Sequence, residues 1–280
     1  VTRTYLAKEA SPEQLSWRAR IAASEQPLRQ SFLAWVAEIQ AAVTDTAIAH
    51  AILTRGSQAF DHIIHAIEFQ PVLGVVAGAE ATREFDRLTT DLKTAVRLSF
   101  NLHDPNFDQA VRDHQARLVR EVTQETRRAI ANMIERGYRN GMHPYDVAPT
   151  IREAVGLTSR QGQAVLNYAD ALTKKGAAPS TVADRSLGYA RRMRTRRAQT
   201  IARTETARAA VMGRLQSYDQ AAAADLFDPQ TAELEWSSVQ DDPNEICATL
   251  DGERVPYGED FAEGYPPVHP MCRCSVFLVL

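Results

Sequence analysis

Cysteine is scarce and poorly distributed for a disulfide scaffold. Three residues, Cys247, Cys272 and Cys274, crowd the last eighth of a 280-residue chain. A secreted scaffold spreads its cysteines and pairs them evenly, so this usage points to a reducing compartment and a local task. Long hydrophobic runs are also missing. Val72–Ala79 and Val276–Leu280 are the longest hints, far short of the roughly 18 residues that a membrane span requires. No apolar leader follows Val1, where Arg3, Lys8 and Glu9 interrupt. A soluble protein made in the cytoplasm, with no membrane partner, is expected. There is no glycine-rich phosphate loop, dinucleotide fingerprint, nucleophile elbow or His-Glu-x-x-His pair. No catalytic residue is therefore nominated, and neither enzymatic activity nor a small-molecule substrate is expected.

Aromatic residues make up only 7% of the chain, whereas alanine, arginine and glutamate are plentiful, a mix that favours helix. The net charge of −3 conceals a division. Arg112–Arg214 holds 20 Lys/Arg against 9 Asp/Glu, and Asp219–Glu263 holds 13 acids against the single base Arg254. The two parts either face each other or copies of the chain, or the basic part meets a phosphate backbone, where cations displace condensed counterions.

Ser11-Pro12-Glu13-Gln14 is a capping-box helix start. Apolar residues then recur at helical spacing from Leu28 to about Leu53, and Phe60, Ile63, Ile64 and Ile67 form a further stripe after Gly56. Pro71, Gly74 and Gly78 predict a break. A long helix is expected over Pro105–Gly137, with His114 on its apolar face as a satisfied core or boundary histidine. Short helices follow over Tyr145–Val155 and from a Thr158 cap to about Lys175. Pro179-Ser180-Thr181 reads as a linker or cap. Beyond it lie Arg185, Arg191, Arg192, Arg194, Arg196 and Arg197, pointing in nearly all directions around a helix. A better-defined helix covers Ala198 to about Ala224. The texture changes at Asp228-Pro229. Leu234–Val239 alternates like a strand, Asp242-Pro243 turns it, Asp251-Gly252 signals a hairpin, and Cys274–Leu280 is strand-like. The predicted fold class is α+β: a mostly helical chain with long helices and a small C-terminal β-rich cap. The texture divides it into an N-terminal helical region (1–104), a central helical part (105–227) and the cap (228–280).

Three groups of residues carry possible chemistry. Cys247, His269, Cys272 and Cys274 supply the ligand count of a structural Cys3His zinc site. Cysteines one residue apart point to opposite sides of an extended strand, so such a site requires a bent backbone. The alternative is a tight β corner of buried thiols with a hydrogen-bonded histidine. In the second group, Arg203 and Glu205 are two apart on a helix and do not pair with each other, so each needs a partner elsewhere if buried. One of them could fasten the helix to the cap. The third group, Asp241, Asp242, Glu245 and Asp251, lacks the spacing and central glycine of a calcium loop and reads as a solvated turn.

Ile201-Ala202-Arg203-Thr204-Glu205, Trp236, Asp241, Cys247, Leu250-Asp251-Gly252 and His269-Pro270-Met271-Cys272-Arg273-Cys274 occur in this order. Together they resemble the phage Mu protein F-like family of minor head (head-morphogenesis) proteins, from about Leu118 to Val279. The family's Cys-x-x-Cys is represented here by Asn244 and Cys247. The resemblance makes Arg203, Thr204, Glu205, Trp236 and Gly252 the structural motif. It implies a few-copy protein of a tailed-phage virion, inside the head, associated with the portal protein and capsid proteins and with packaged double-stranded DNA. The chain ends six residues past Cys274, so no appended toxin or enzyme domain is expected. A competing expectation is a nucleic-acid-binding module using the Arg185–Arg197 segment, with Arg191, Arg192, Arg194, Arg196 and Arg197 as its contacts.

Overall fold

A computed structural model of the chain describes residues 11–55, 70–91, 98–238 and 245–280. Ser11 and Gln14 cap the first helix reciprocally. The Gln14 N–H donates to Ser11 Oγ (3.2 Å) and the Ser11 N–H to Gln14 Oε1 (2.7 Å). From that cap α1 runs over Pro12–Ala42 and is followed by α2 (Asp45–Arg55), α3 (Gln70–Asp91), α4 (Pro105–Arg139), α5 (Pro144–Ala154), α6 (Ser159–Lys174) and α7 (Pro179–Ala223). Strand β1 (Glu233–Ser237), helix α8 (Glu245–Leu250) and strands β2 (Arg254–Pro256) and β3 (Ser275–Val279) complete the described elements. The strands form one antiparallel sheet in the order β2-β1-β3, with Leu234 opposite both Val255 and Leu278. The architecture is α+β with long helices and a small C-terminal sheet, as the sequence predicts. No single described helix is long and apolar enough to cross a membrane.

The chain folds as two compact units, each assembled from separated segments. The first comprises Val1–Leu28, Gln70–His114 and Thr200–Leu280. At its centre lies Arg214 on α7, fully buried between the rings of Trp17 (4.6 Å) and Phe277 (4.5 Å). Its guanidinium donates to Glu80 Oε1 (2.7 Å), to Ser275 Oγ (3.0 Å) and to the Val276 carbonyl (3.1 Å). Arg20 and Arg83 complete the neutralisation of Glu80, while Glu84 accepts from Arg87 and from the Tyr218 hydroxyl. Burial alone would raise the Glu84 pKa, but the charge of Arg214 and the hydrogen bond from Arg87 hold it below the usual value. This network ties α1, α3, α7 and β3 together. Gly213 permits the approach: a β-carbon there would sit 2.1 Å from the Ala77 carbonyl oxygen on α3.

The second unit comprises Arg29–Phe69 and Gln115–Gln199. Helix α2 packs on α5, with Arg152 paired to Asp45 at 3.2 Å. Helix α6 opens on a complete capping box between Thr158 and Gln161. Arg136 on α4 pairs with Asp170 on α6.

Four local expectations are corrected. The periodic stretch from Leu28 to Leu53 is broken after Ala42, because Thr44 caps a new helix by accepting the Ala47 N–H (3.1 Å). Pro71, Gly74 and Gly78 do not break the chain. Proline fits the first turn of α3, and Gly78 lies where a β-carbon would meet Leu102 at 2.9 Å. The helix expected from Ala198 begins instead at Pro179, so the basic segment is the first half of α7, a single helix of 45 residues. Residues before Asp251 form α8, so Gly252 (φ 81°) turns the chain from a helix into β2 and does not join two strands. Gly56, the Phe60–Ile67 stripe, Asp241, the Asp242-Pro243 turn and Asn244 lie outside the described residues.

Candidate functional site

Three consecutive side chains in the middle of α7 reach three different parts of the first unit. Successive helical residues diverge by about 100°, which suits such a hub. Arg203 Nε donates to Glu25 on α1 (2.9 Å). Thr204 Oγ1 accepts the Met271 N–H (3.0 Å). Glu205 Oε2 lies 2.7 Å from His114 Nε2 on α4, both groups being buried. Arg208, one turn on, donates to both Glu205 oxygens (2.6 and 2.7 Å) and to the Pro267 carbonyl (3.4 Å). Burial raises the Glu205 pKa, but the His114 hydrogen bond and the Arg208 charge outweigh it and lower the value. The link from the motif to the cap thus runs directly through Thr204, and through Glu205 by way of Arg208; Arg203 serves α1. His114 is a core histidine, as its place on the apolar face predicts, but only half satisfied: Nε2 is paired with Glu205, whereas the buried Nδ1 has no hydrogen-bond partner among the described residues.

Trp236 and Gly252 meet in the sheet region. The Trp236 N–H donates to the Glu253 carbonyl and the Gly252 N–H to the Trp236 carbonyl, both at 2.8 Å. The fully buried indole packs edge-on against Phe261, with centroids 5.3 Å apart. Trp17 Nε1 donates to the Arg273 carbonyl (3.2 Å), which holds the His-Pro-Met-Cys-Arg-Cys segment against α1.

That segment brings the cysteines together. The sulfurs of Cys247, Cys272 and Cys274 lie within 4.8 Å of one another, and all three residues are buried. Cys247 Sγ is 3.8 Å from Cys272 Sγ and 2.9 Å from His269 Nε2. Three close buried cysteines could hold a metal ion. Hydrogen bonds from Cys247 and Cys274 favour the thiolate of Cys272, whose pKa falls far below the thiol range. The hydrogen bond to Cys272 pushes the Cys247 thiol up, and hydrogen bonds to Cys247 and Cys272 push the Cys274 thiol up.

The arginines of 185–197 separate by depth. Arg191, Arg192 and Arg196 are exposed, like Arg185. Arg194 is buried and caps the C-terminal end of α5: it donates to the carbonyls of Glu153 (2.7 Å) and Val155 (3.1 Å) and to the Glu153 carboxylate (2.7 Å). Arg197 is buried over the Phe32 ring, and burial lowers its pKa to about 10. These two guanidiniums are taken up by the interior of the second unit and are withdrawn from the set that could reach a nucleic acid. The Arg214 network escaped the sequence reading altogether. Its only trace was the coincidence of Glu80, Glu84 and Arg214 on apolar helix faces.

Residues 128–277 match the family model described as Phage Mu protein F like protein. That is more than half of the chain and includes every motif residue just described. The chain belongs to this family. No curated protein and no solved structure matches it. Membership carries the coarse assignment, a phage head-morphogenesis protein.

Proposed function

We propose that this Mu F-like protein is a minor structural component of a tailed-phage head. It is made in the host cytoplasm and built into the head interior in few copies, beside the portal and capsid proteins. Family membership over residues 128–277 is the observation that carries this reading. The use of the motif side chains supports it. Arg203, Thr204 and Glu205 are all committed to internal contacts, as in a scaffold and unlike a catalytic centre that presents groups to a substrate.

A second role, contact with double-stranded DNA, is favoured by one observation. Arg185, Arg192 and Arg196 are exposed on α7, Arg192 and Arg196 following Arg185 by seven and eleven residues, which places all three within about 40° of one another around the helix. Together with Tyr189, over whose ring the Arg192 guanidinium lies, they make a one-sided basic stripe suited to phosphates.

Quantitative mass spectrometry of procapsids, mature heads and DNA-emptied heads tests the main reading. A few copies per procapsid, retained in mature heads, is the expected result. Absence from all three preparations overturns it, and loss on emptying identifies the copies that leave with DNA.

A further inference from the structure

We infer that Cys247, His269, Cys272 and Cys274 form a tetrahedral Cys3His site for one structural Zn2+, and that the ion fastens α8 to the segment entering β3. The site holds whether or not the protein sits in a phage head, because it rests only on the arrangement of these four side chains.

Ligand chemistry comes first. Thiolates and a neutral imidazole are the donors of closed structural zinc sites, and four of them fill the coordination sphere without leaving an open position. The spacing agrees as well. With metal–sulfur bonds of about 2.3 Å, the edge of a tetrahedron between two sulfurs is about 3.8 Å. Cys247 Sγ and Cys272 Sγ lie 3.8 Å apart, and the third sulfur is within 4.8 Å of both. The Cys272–Cys274 spacing, unfavourable in an extended strand, is resolved by the backbone. β3 begins only at Ser275. Before it, Met271 adopts φ 69° and the Cys272 N–H closes a turn onto the His269 carbonyl (3.2 Å). The bend brings both cysteines to one side.

His269 is oriented as a ligand. Its Nδ1 lies 2.9 Å from the Pro270 carbonyl, an acceptor, so Nδ1 carries the proton and Nε2 keeps its lone pair. Metal-bound histidines are fixed in this way by the hydrogen bond at the other nitrogen. Nε2 faces Cys247 Sγ at 2.9 Å, closer than a tetrahedral edge by roughly half an ångström on the bond lengths of such sites. The close group comprises the three cysteines alone, so binding of the ion requires the partly exposed His269 ring to turn until Nε2 faces all three sulfurs.

With Zn2+ bound, all three cysteines act as thiolates and release their protons. The consequence reaches the motif on α7. Met271 lies between the ligands His269 and Cys272, and its N–H is the group that Thr204 accepts. Metal loading therefore organises the backbone that α7 grips.

The full-length chain, expressed in zinc-supplemented medium, provides the test. One equivalent of zinc retained through gel filtration is expected, with a fall in Tm of several degrees after chelation and recovery on adding Zn2+ back. Replacement by Co2+ should give the intense visible bands of tetrahedral thiolate coordination. Because Cys272→Ser could fail to fold, His269→Ala is the second variant. It should fold, lose zinc to a chelator at least tenfold faster, and alter the cobalt spectrum. Three titratable thiols with no bound metal would overturn the site, as would a Cys247–Cys272 disulfide. Zinc that leaves unchanged rates and spectra in His269→Ala would remove His269 from the ligand set and overturn the Cys3His assignment.

Discussion

The two compact units carry opposite charge. The first holds 14 Lys/Arg against 24 Asp/Glu, a formal −10, and the second holds 18 against 11, a formal +7. Yet the first, acidic unit contains the most deeply buried arginine, whereas the basic unit keeps most of its α7 arginines at the surface. Net charge and the use of charge are thus separate properties. In the first unit Arg214 faces the carboxylates of Glu80 and Glu84, which it shares with Arg20, Arg83 and Arg87. In the second, Arg194 and Arg197 are interior while Arg185, Arg192 and Arg196 remain outside. One helix, α7, supplies all of these arginines. What distinguishes them is which face of the helix each occupies.

The largest effect is expected in the first unit. Removing one partner from a buried ion network leaves the remaining charges uncompensated, at a cost of about 3–5 kcal/mol. Arg214→Met should therefore lower stability by about that amount, read as a large drop in Tm or in the denaturant midpoint. A change under about 1 kcal/mol would mean that Arg20, Arg83 and Arg87 neutralise Glu80 and Glu84 unaided, and the hub would lose its centre. Arg194→Met in the second unit should cost less, about 2–3 kcal/mol, the scale of buried hydrogen bonds to a charged group. Arg191 remains 3.5 Å from Glu153 in that variant, which softens the loss. If Arg194→Met proved the more damaging of the two, the ranking of the units would reverse.

Much of this was legible in the sequence, and the failures share a cause. Hydrophobic periodicity and capping residues located α4, α5, α6, β1 and β3 to within a residue or two, because each buries an apolar face in the usual way. Residues 179–197 gave no such stripe, since arginine occupies two of the buried positions on that face, Arg194 and Arg197. A polar side chain in the interior looks, in sequence, like one in solvent. For the same reason Arg214 passed unnoticed, while Arg203 and Glu205 could be singled out in the sequence but not given their partners, Glu25 and His114. The cysteine cluster was legible as a set of ligands, but its bend at Met271 depends on a positive φ that no local residue preference announces. Tertiary contacts decide these positions, and a sequence read one window at a time does not contain them.

Acid should affect the first unit through its buried carboxylates. Glu84 and Glu205 both have folded-state pKa values below their ordinary range. Their contribution to stability is complete above the unfolded value of about 4.3 and is lost as pH falls through the lowered folded values. Stability measured from pH 7 downwards should stay nearly level on their account until about pH 4–5 and then decline. Glu205→Gln should flatten that decline, since its carboxylate no longer titrates. An acid limb of unchanged steepness in Glu205→Gln would show that the His114–Glu205–Arg208 cluster contributes no charge-dependent stability.

The smallest effect on stability, and the sharpest test of the contrast between the units, belongs to the exposed stripe. Arg185, Arg192 and Arg196 lie at the surface of the second unit, where substitutions usually change stability by no more than about 0.5 kcal/mol each. The triple alanine variant should melt almost as the parent does. If the stripe meets a DNA backbone, the same variant should bind duplex DNA more weakly whatever the sequence. Its plot of log affinity against log salt should be shallower by about 2–3, since each phosphate contact contributes roughly 0.9 to the slope. A parent protein with no salt-dependent DNA binding would leave the stripe as a solvated helix face. A variant that lost stability but kept the parent's slope would place these arginines with Arg194 and Arg197, as parts of the fold. Only the combination of unchanged melting and a reduced slope assigns them to a partner, because a structural role changes the first quantity and a phosphate contact changes the second.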